Sequence, residues 1–200
     1  MCGTQDVPQQ DLTMVVQEAL NAGSTACQYR DKGASQLTAA QRLSLGRQLR
    51  ERCAVAGVPF IVDDDVELAL ELGADGIHVG QRDDRVTQVI QRAGRMFVGL
   101  SCSTLAEVRI ANQIDGIAYI GSGPIFPTTS KDDADPIVGL AGLSQLVAVS
   151  HLPIVAIGGI AEAQLPAITA AGATGSAVIT MLTQSDNLER TVMAMLAATD

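Results

Sequence analysis

Apolar residues Leu12, Val15, Val16, Ala19 and Leu20 recur at helical spacing between an acidic start at Asp11 and a glycine stop at Gly23, predicting a helix over 11–23. A short strand is predicted over 25–30. It ends in polar residues and leads to a second helix, opened by Thr38 and Gln41 in capping-box spacing and stopped at Gly57. Variants of this unit follow. Strands are predicted over 58–63, 76–80, 97–101, 117–121, 153–158 and 175–180. One helix is predicted from Asp64 to Leu72, closed by Gly73, and another is opened by Thr104 and Glu107.

These seven strands are continuous apolar runs, the pattern of strands buried on both faces of a parallel sheet. Their starts lie roughly 18 to 36 residues apart, the spacing of βα units and too irregular for a solenoid. The expected fold is a single α/β domain over 1–200, a TIM (βα)8 barrel, with a doubly wound open sheet as the competing arrangement. Eight strands are needed and seven are legible. Residues 1–10 match a barrel poorly, and Met1-Cys2-Gly3-Thr4-Gln5-Asp6 does not read as a buried strand. The first strand is therefore expected to be missing, either because the reading frame begins upstream or because this form is truncated. Edges at 25–30 and 175–180 would then face one another across a gap.

Composition narrows the picture. The 200 residues are 47% hydrophobic, 18% charged and 2% aromatic, without tryptophan, so the core is expected to rest on Ala, Val, Ile and Leu. The net charge of -9 argues against a nucleic-acid or membrane-surface binder. Residues through Lys131 hold 12 of the 13 basic and 15 of the 22 acidic side chains, so the last 69 residues keep Arg190 alone. An anionic ligand must be held by a few placed cations and backbone N–H groups. The cysteines at 2, 27, 53 and 102 form no CxxC pair, which predicts reduced thiols in a cytoplasmic protein. No signal peptide is visible. The uncharged stretch over 136–161 is broken by Pro153 and several glycines, so it is not a transmembrane helix. Whether the chain forms a homo-oligomer is left open.

In a barrel, the chemistry collects at the C-terminal ends of the strands. Here those ends carry Gln28, Arg30 and Lys32; Asp63 and Asp64; Gln81 and Asp83; Ser101; Thr128, Ser130 and Lys131; Gly158 and Gly159; and Thr180. The Gly158-Gly159 turn suits either backbone binding of a phosphate or a plain structural bend. Asp63, Asp64 and Asp83 suit a Mg2+ that also grips substrate phosphates, or else Asp64 caps the helix that follows and Asp83 is a solvated loop acid. His78, in mid-strand, reads as a hydrogen-bonded barrel residue. Gln28, Arg30 and Lys32 alternate and so point the same way. Lys131 sits in a polar loop long enough to fold over a ligand, or to be idle.

Taken together, QYRDK at 28–32, DDDVELALELGADGIHVGQRD at 63–83, GLS at 99–101, GSGPIFPTTSK at 121–131 and AIGGI at 156–160 resemble the thiamine phosphate synthase family. The resemblance implies a transferase of thiamine biosynthesis. It would join hydroxymethylpyrimidine diphosphate to thiazole phosphate, releasing pyrophosphate, with Mg2+ on the diphosphate. It implies that Gln28, Arg30, Lys32 and Lys131 hold the pyrimidine diphosphate, with Tyr29, Asp31 and Asp63 in the same segments, and that Asp64 and Asp83 bind the metal. Thr128, Thr129, Ser130, Gly159, Ile179 and Thr180 would hold the thiazole phosphate. Ser101, associated with the departing pyrophosphate, and Lys131 would be catalytic.

Three positions depart from the family's pattern: Asp63 where Asn is usual, Ser103 where His is often found, and Thr180 in place of a serine. A thiazole tautomerase-like relative is the close rival, but it tends to lose the residues matched by Arg30, Lys32, Asp64, Asp83 and Lys131. A catalytically silent regulator on the same barrel is the other alternative.

Overall fold

The structure, a computed structural model, describes residues 1–81, 86–128 and 136–198. Its elements alternate: α1 (Leu12–Asn21), β1 (Cys27–Tyr29), α2 (Ala39–Ala56), β2 (Phe60–Asp63), α3 (Val66–Leu72), β3 (Gly76–Val79), α4 (Val86–Ala93), β4 (Phe97–Ser101), α5 (Leu105–Ala111), β5 (Ile117–Ser122), α6 (Gly139–Val149), β6 (Ile154–Ile157), α7 (Leu165–Ala170), β7 (Gly175–Ala177), α8 (Thr180–Thr183) and α9 (Leu188–Ala197). The strands pair in chain order, β1 to β7, all parallel, in a curled sheet with a TIM-barrel-like α/β architecture.

Local signals explain the element ends. Thr38 and Gln41 form a reciprocal capping box at α2, as Thr104 and Glu107 do at α5. Gly57 and Gly73 end α2 and α3 in the left-handed conformation (φ 68° and 58°), which glycine adopts without a Cβ penalty. The helices' apolar faces cover one side of the sheet. On that side Val62, Ile77, Val79, Val98, Leu100, Ile120 and Ile154 are buried. The intervening positions point to the interior, where Gln28, Ile61, Asp63, His78, Ser101, Tyr119 and Ile157 line two connected cavities. Although aromatic residues are few, Phe97 and Tyr119 meet edge to face inside the barrel at 6.3 Å. Gly76 clears the space for them: a Cβ there would lie 2.3 Å from the Phe97 ring.

Three sequence expectations change. The last strand stops at Ala177, and Thr180 begins a helix. The helix expected from Asp64 starts at Val66. Its cap is Asp65, whose carboxylate accepts from the Leu68 N–H at 3.0 Å, because Asp64 is drawn aside by its own N–H bond to the His78 carbonyl. At the chain start, Cys2 forms an isolated parallel bridge with Tyr29, donating to the Gln28 carbonyl and accepting from the Arg30 N–H. The Met1 nitrogen donates to the Val178 carbonyl at 3.2 Å. These two residues span the upper rim between the β1 and β7 ends. Beneath them, a chamber of about 610 Å3 separates Ala26 and Ile61 from Ala177, Leu182 and Val192.

Candidate active site

A second cavity, about 540 Å3, opens at the C-terminal ends of the strands. Its most charged wall is built by β1 and β2. Arg30 Nε lies 3.2 Å and Lys32 Nζ 3.3 Å from Asp63 Oδ2, and the Lys32 ammonium also pairs with the Asp64 carboxylate. Alternation along the strand end explains the split between neighbours. Arg30 and Lys32 face the cavity, whereas Tyr29 packs against Phe60 and donates to the Arg42 carbonyl. Asp31 turns to accept from Thr4 N–H, Thr4 Oγ1 and Ser35 Oγ. Tyr29 and Asp31 thus shape the strand end, and neither lines the cavity. Gln28 lies one layer deeper, in the chamber beneath.

Asp64 has φ 60°, the one non-glycine residue with a left-handed backbone among those described. Aspartate tolerates this region better than most residues, and such conformations concentrate where a side chain must be aimed. Here it aims a carboxylate into the cavity beside Lys32.

The floor is formed by β3, β4 and β5. His78 bonds to Tyr119 Oη and Ser101 Oγ, each at 2.9 Å, which matches the reading of His78 as a hydrogen-bonded barrel residue. Gln81 steadies the same strand end by donating to the Ser101 carbonyl at 2.8 Å. Ser103 also lines the cavity, with its hydroxyl donating to the Gly123 carbonyl. Burial pushes the Cys102 thiol up to about 12, with the Glu107 carboxylate adding to the rise, so Cys102 supplies no thiolate.

Opposite the charged wall, Gly158 and Gly159 follow β6 with φ 95° and 65°. A Cβ on Gly159 would lie 2.3 Å from the Pro127 carbonyl oxygen. Glycine is therefore what lets this turn pass the main chain of Phe126 and Pro127. Thr128, Gly159, Ile179 and Thr180 all line this side. Asp83, Thr129, Ser130 and Lys131 lie outside the described residues. The sequence reading missed Tyr119 as part of the floor; its inward direction was available from its two-residue offset from Gly121 on β5.

The charged wall contains two cations and two carboxylates, so it is electrically balanced before any ligand enters. Asp63 is buried and holds both cations, which makes it the residue that most limits their reach. Asp63→Asn keeps the shape and removes one negative charge, so the KM for a diphosphate substrate is expected to fall several-fold, of the order of one ordinary hydrogen bond. Steady-state kinetics of the purified variant check this; an unchanged or higher KM would show that the buried carboxylate organises the wall more than it competes with the ligand.

Comparison with known proteins places this architecture. The thiamine monophosphate synthase family profile matches residues 1–182. The chain is 74% identical to the thiamine-phosphate synthase of Lactiplantibacillus plantarum, over 100% of this chain and 93% of that one. It is 64% identical to the thiamine-phosphate synthase of Levilactobacillus brevis, over 99% and 92%. Among solved structures it is similar to a thiamine phosphate pyrophosphorylase from Pyrococcus furiosus, with a TM-score of 0.86 and 28% identity over 98% of this chain and 92% of that one. A 3-hexulose-6-phosphate synthase shares the fold, with a TM-score of 0.68 at 18% identity. On its profile match and on relatives of this closeness, the chain belongs to the thiamine monophosphate synthase family.

Proposed function

We propose that the cavity carries out the family's transfer: the methylene carbon of hydroxymethylpyrimidine diphosphate passes to the ring nitrogen of hydroxyethylthiazole phosphate. The C–O bond to the diphosphate breaks and its electron pair leaves with pyrophosphate; the thiazole nitrogen supplies the pair for the new C–N bond. The observation that carries this reading is the opposition of two phosphate-suited walls across one cavity. Arg30 and Lys32 stand on one side; Thr128, Gly159 and Thr180 stand on the other.

Charge balance supports a role for Mg2+. Arg30 and Lys32 are offset by Asp63 and Asp64, so a diphosphate needs further positive charge. Asp64 offers hard carboxylate oxygens at the cavity, and Mg2+ binds through one or two carboxylates plus substrate phosphates without a full protein cage. Asp64, with Asp83, would hold it. When bound, the ion neutralises charge that grows on the leaving diphosphate.

Arg30 and Lys32 orient the diphosphate, and Lys131 is proposed to join them. Ser101 presents a hydroxyl toward the leaving group. Gly159, Ile179 and Thr180, with Thr128, Thr129 and Ser130, are proposed to anchor the thiazole phosphate so that its nitrogen faces the breaking bond. Holding both partners in line and excluding water accounts for most of the acceleration. No side-chain nucleophile is required. No helix among the described residues is long and apolar enough to cross a membrane, and we place the activity in the cytoplasm on small-molecule substrates.

The test is release of pyrophosphate by the purified chain, expected only with both substrates and Mg2+ present. Binding of both substrates without turnover would overturn the reading and favour a silent ligand-binding protein.

A further inference from the structure

Four strands contribute a polar row to the inner face, and the proposed reaction gives a task to only one of its members, Ser101. His78 on β3 reaches Tyr119 on β5 through Nδ1 and Ser101 on β4 through Nε2. Gln28, on β1, lines the lower chamber beside Tyr119, and its side chain acts on the Tyr119 hydroxyl in the sense of a donor. The row begins in the lower chamber and ends at the Ser101 hydroxyl, where the upper cavity opens.

Two glycines make room for it. A Cβ on Gly99 would lie 2.3 Å from Tyr119 Cζ and 2.6 Å from His78 Nδ1, and a Cβ on Gly121 would lie 2.8 Å from His78 Cε1. Neither glycine has a positive φ, so neither is needed for its backbone angles. Glycine inside a buried strand weakens that strand. What the two positions gain in return is an imidazole laid flat across its neighbours, within reach of a hydroxyl on each side.

The hydrogen-bond directions follow from the chemistry of the groups. Burial, with the Asp63 carboxylate adding to it, pushes the Tyr119 hydroxyl well above its ordinary range, so it keeps its proton. With the Gln28 side chain acting on the tyrosine oxygen in the sense of a donor, that proton is directed to His78 Nδ1, 2.9 Å away. A neutral imidazole that accepts at Nδ1 carries its hydrogen on Nε2 and donates it to Ser101 Oγ. A serine that accepts there has its own proton to give.

We propose that His78 is a positioning residue that holds the Ser101 hydroxyl with its proton turned into the cavity, toward the pyrophosphate oxygen that gains charge as the C–O bond breaks. This rests on the proposed function for the identity of the ligand, but the hydrogen-bond row stands apart from it. A donor aimed at developing charge acts on the transition state more than on the bound substrate, so it is read in kcat and not in KM.

Two measurements test it. The first is kinetic. His78→Asn is expected to lower kcat about tenfold or more, with both KM values within about twofold. His78→Gln, whose amide reaches toward the Nε2 position, is expected to restore most of the loss. Combining His78→Asn with Ser101→Ala is expected to be no worse than Ser101→Ala alone, because both remove one donor. Losses that multiply, or a rise in KM at constant kcat, would overturn the proposal. The second is nitrogen NMR of the imidazole in the unliganded protein, which holds two histidines, His78 and His151. The His78 signal is expected as the Nε2–H tautomer and is expected to shift toward a mixture in Tyr119→Phe. The Nδ1–H tautomer or an imidazolium at neutral pH in the unsubstituted protein would overturn it. This second reading needs no turnover, so it separates failure of the row from failure of the proposed reaction, and it stands even if His78→Asn does not fold.

Discussion

Asp64→Asn is expected to lower kcat/KM by about two to three orders of magnitude while leaving the thermal midpoint nearly unchanged. The carboxylate faces the cavity beside Lys32 and can give a Mg2+ ion a charged oxygen without breaking the buried Arg30–Asp63 pair. Asparagine accepts the left-handed backbone that Asp64 occupies at φ 60°, so the substitution isolates charge from conformation. Asp64→Ala removes the charge and also strains the backbone, and is expected to cost about 1–2 kcal/mol of stability beyond the asparagine variant. Steady-state rates over a Mg2+ titration, paired with urea unfolding, check both parts. The asparagine variant should need a higher Mg2+ concentration for half-maximal rate; near-native kcat/KM at unchanged Mg2+ demand would remove Asp64 from the metal site.

Gly159→Ala is expected to harm the opposite wall for a steric reason. The new methyl would lie 2.3 Å from the Pro127 oxygen and 2.6 Å from the Phe126 oxygen, on a backbone at φ 65°. Both contacts are with main chain, so the segment leading to Thr128 must move. The backbone strain alone is of the order of 1–3 kcal/mol, and the displacement adds to it. The KM for thiazole phosphate is expected to rise about tenfold or more, since small shifts of a positioning group are costly. Gly57→Ala is the matched control: φ is 68° but no atom lies within 4 Å of the added methyl. It should lose about 1 kcal/mol of stability and no activity. Equal stability losses in the two variants, with thiazole phosphate kinetics unchanged, would show that the turn is structural and holds no ligand.

What was legible in the sequence divides along the line between local and nonlocal forces. Thr38 with Gln41, Thr104 with Glu107, and the glycine stops at 57 and 73 act within one turn of chain, and the structure has them where the pattern put them. The gathering of Arg30, Lys32, Asp63 and Asp64 at one end was also legible, because parallel strands in chain order bring their C-terminal ends together. Among the three consecutive aspartates, by contrast, the choice of helix cap is made by a bond from Asp64 N–H to the His78 carbonyl, one strand away. The short last strand is a similar case: continuous apolar residues 177–179 read as strand, yet the turn at Ile179 belongs to α8. The row from Gln28 through Tyr119 and His78 to Ser101 draws on four strands and two missing methyl groups, and no spacing within one segment encodes it.

The upper rim between β1 and β7 bears on how rigidly the site is held. Elsewhere, neighbouring strands are tied by ladders several residues long. Here, among the described residues, the wall carrying Arg30 and Lys32 meets the wall ending at Val178 through Cys2's two hydrogen bonds on one side and Met1's one on the other. Among the described residues, these two walls are thus joined by a clasp and not by a strand ladder. Three hydrogen bonds resist separation less than a ladder does, so the rim is expected to yield more readily between β1 and β7 than between any paired strands, and that yielding would change the separation of the two proposed phosphate-binding sides.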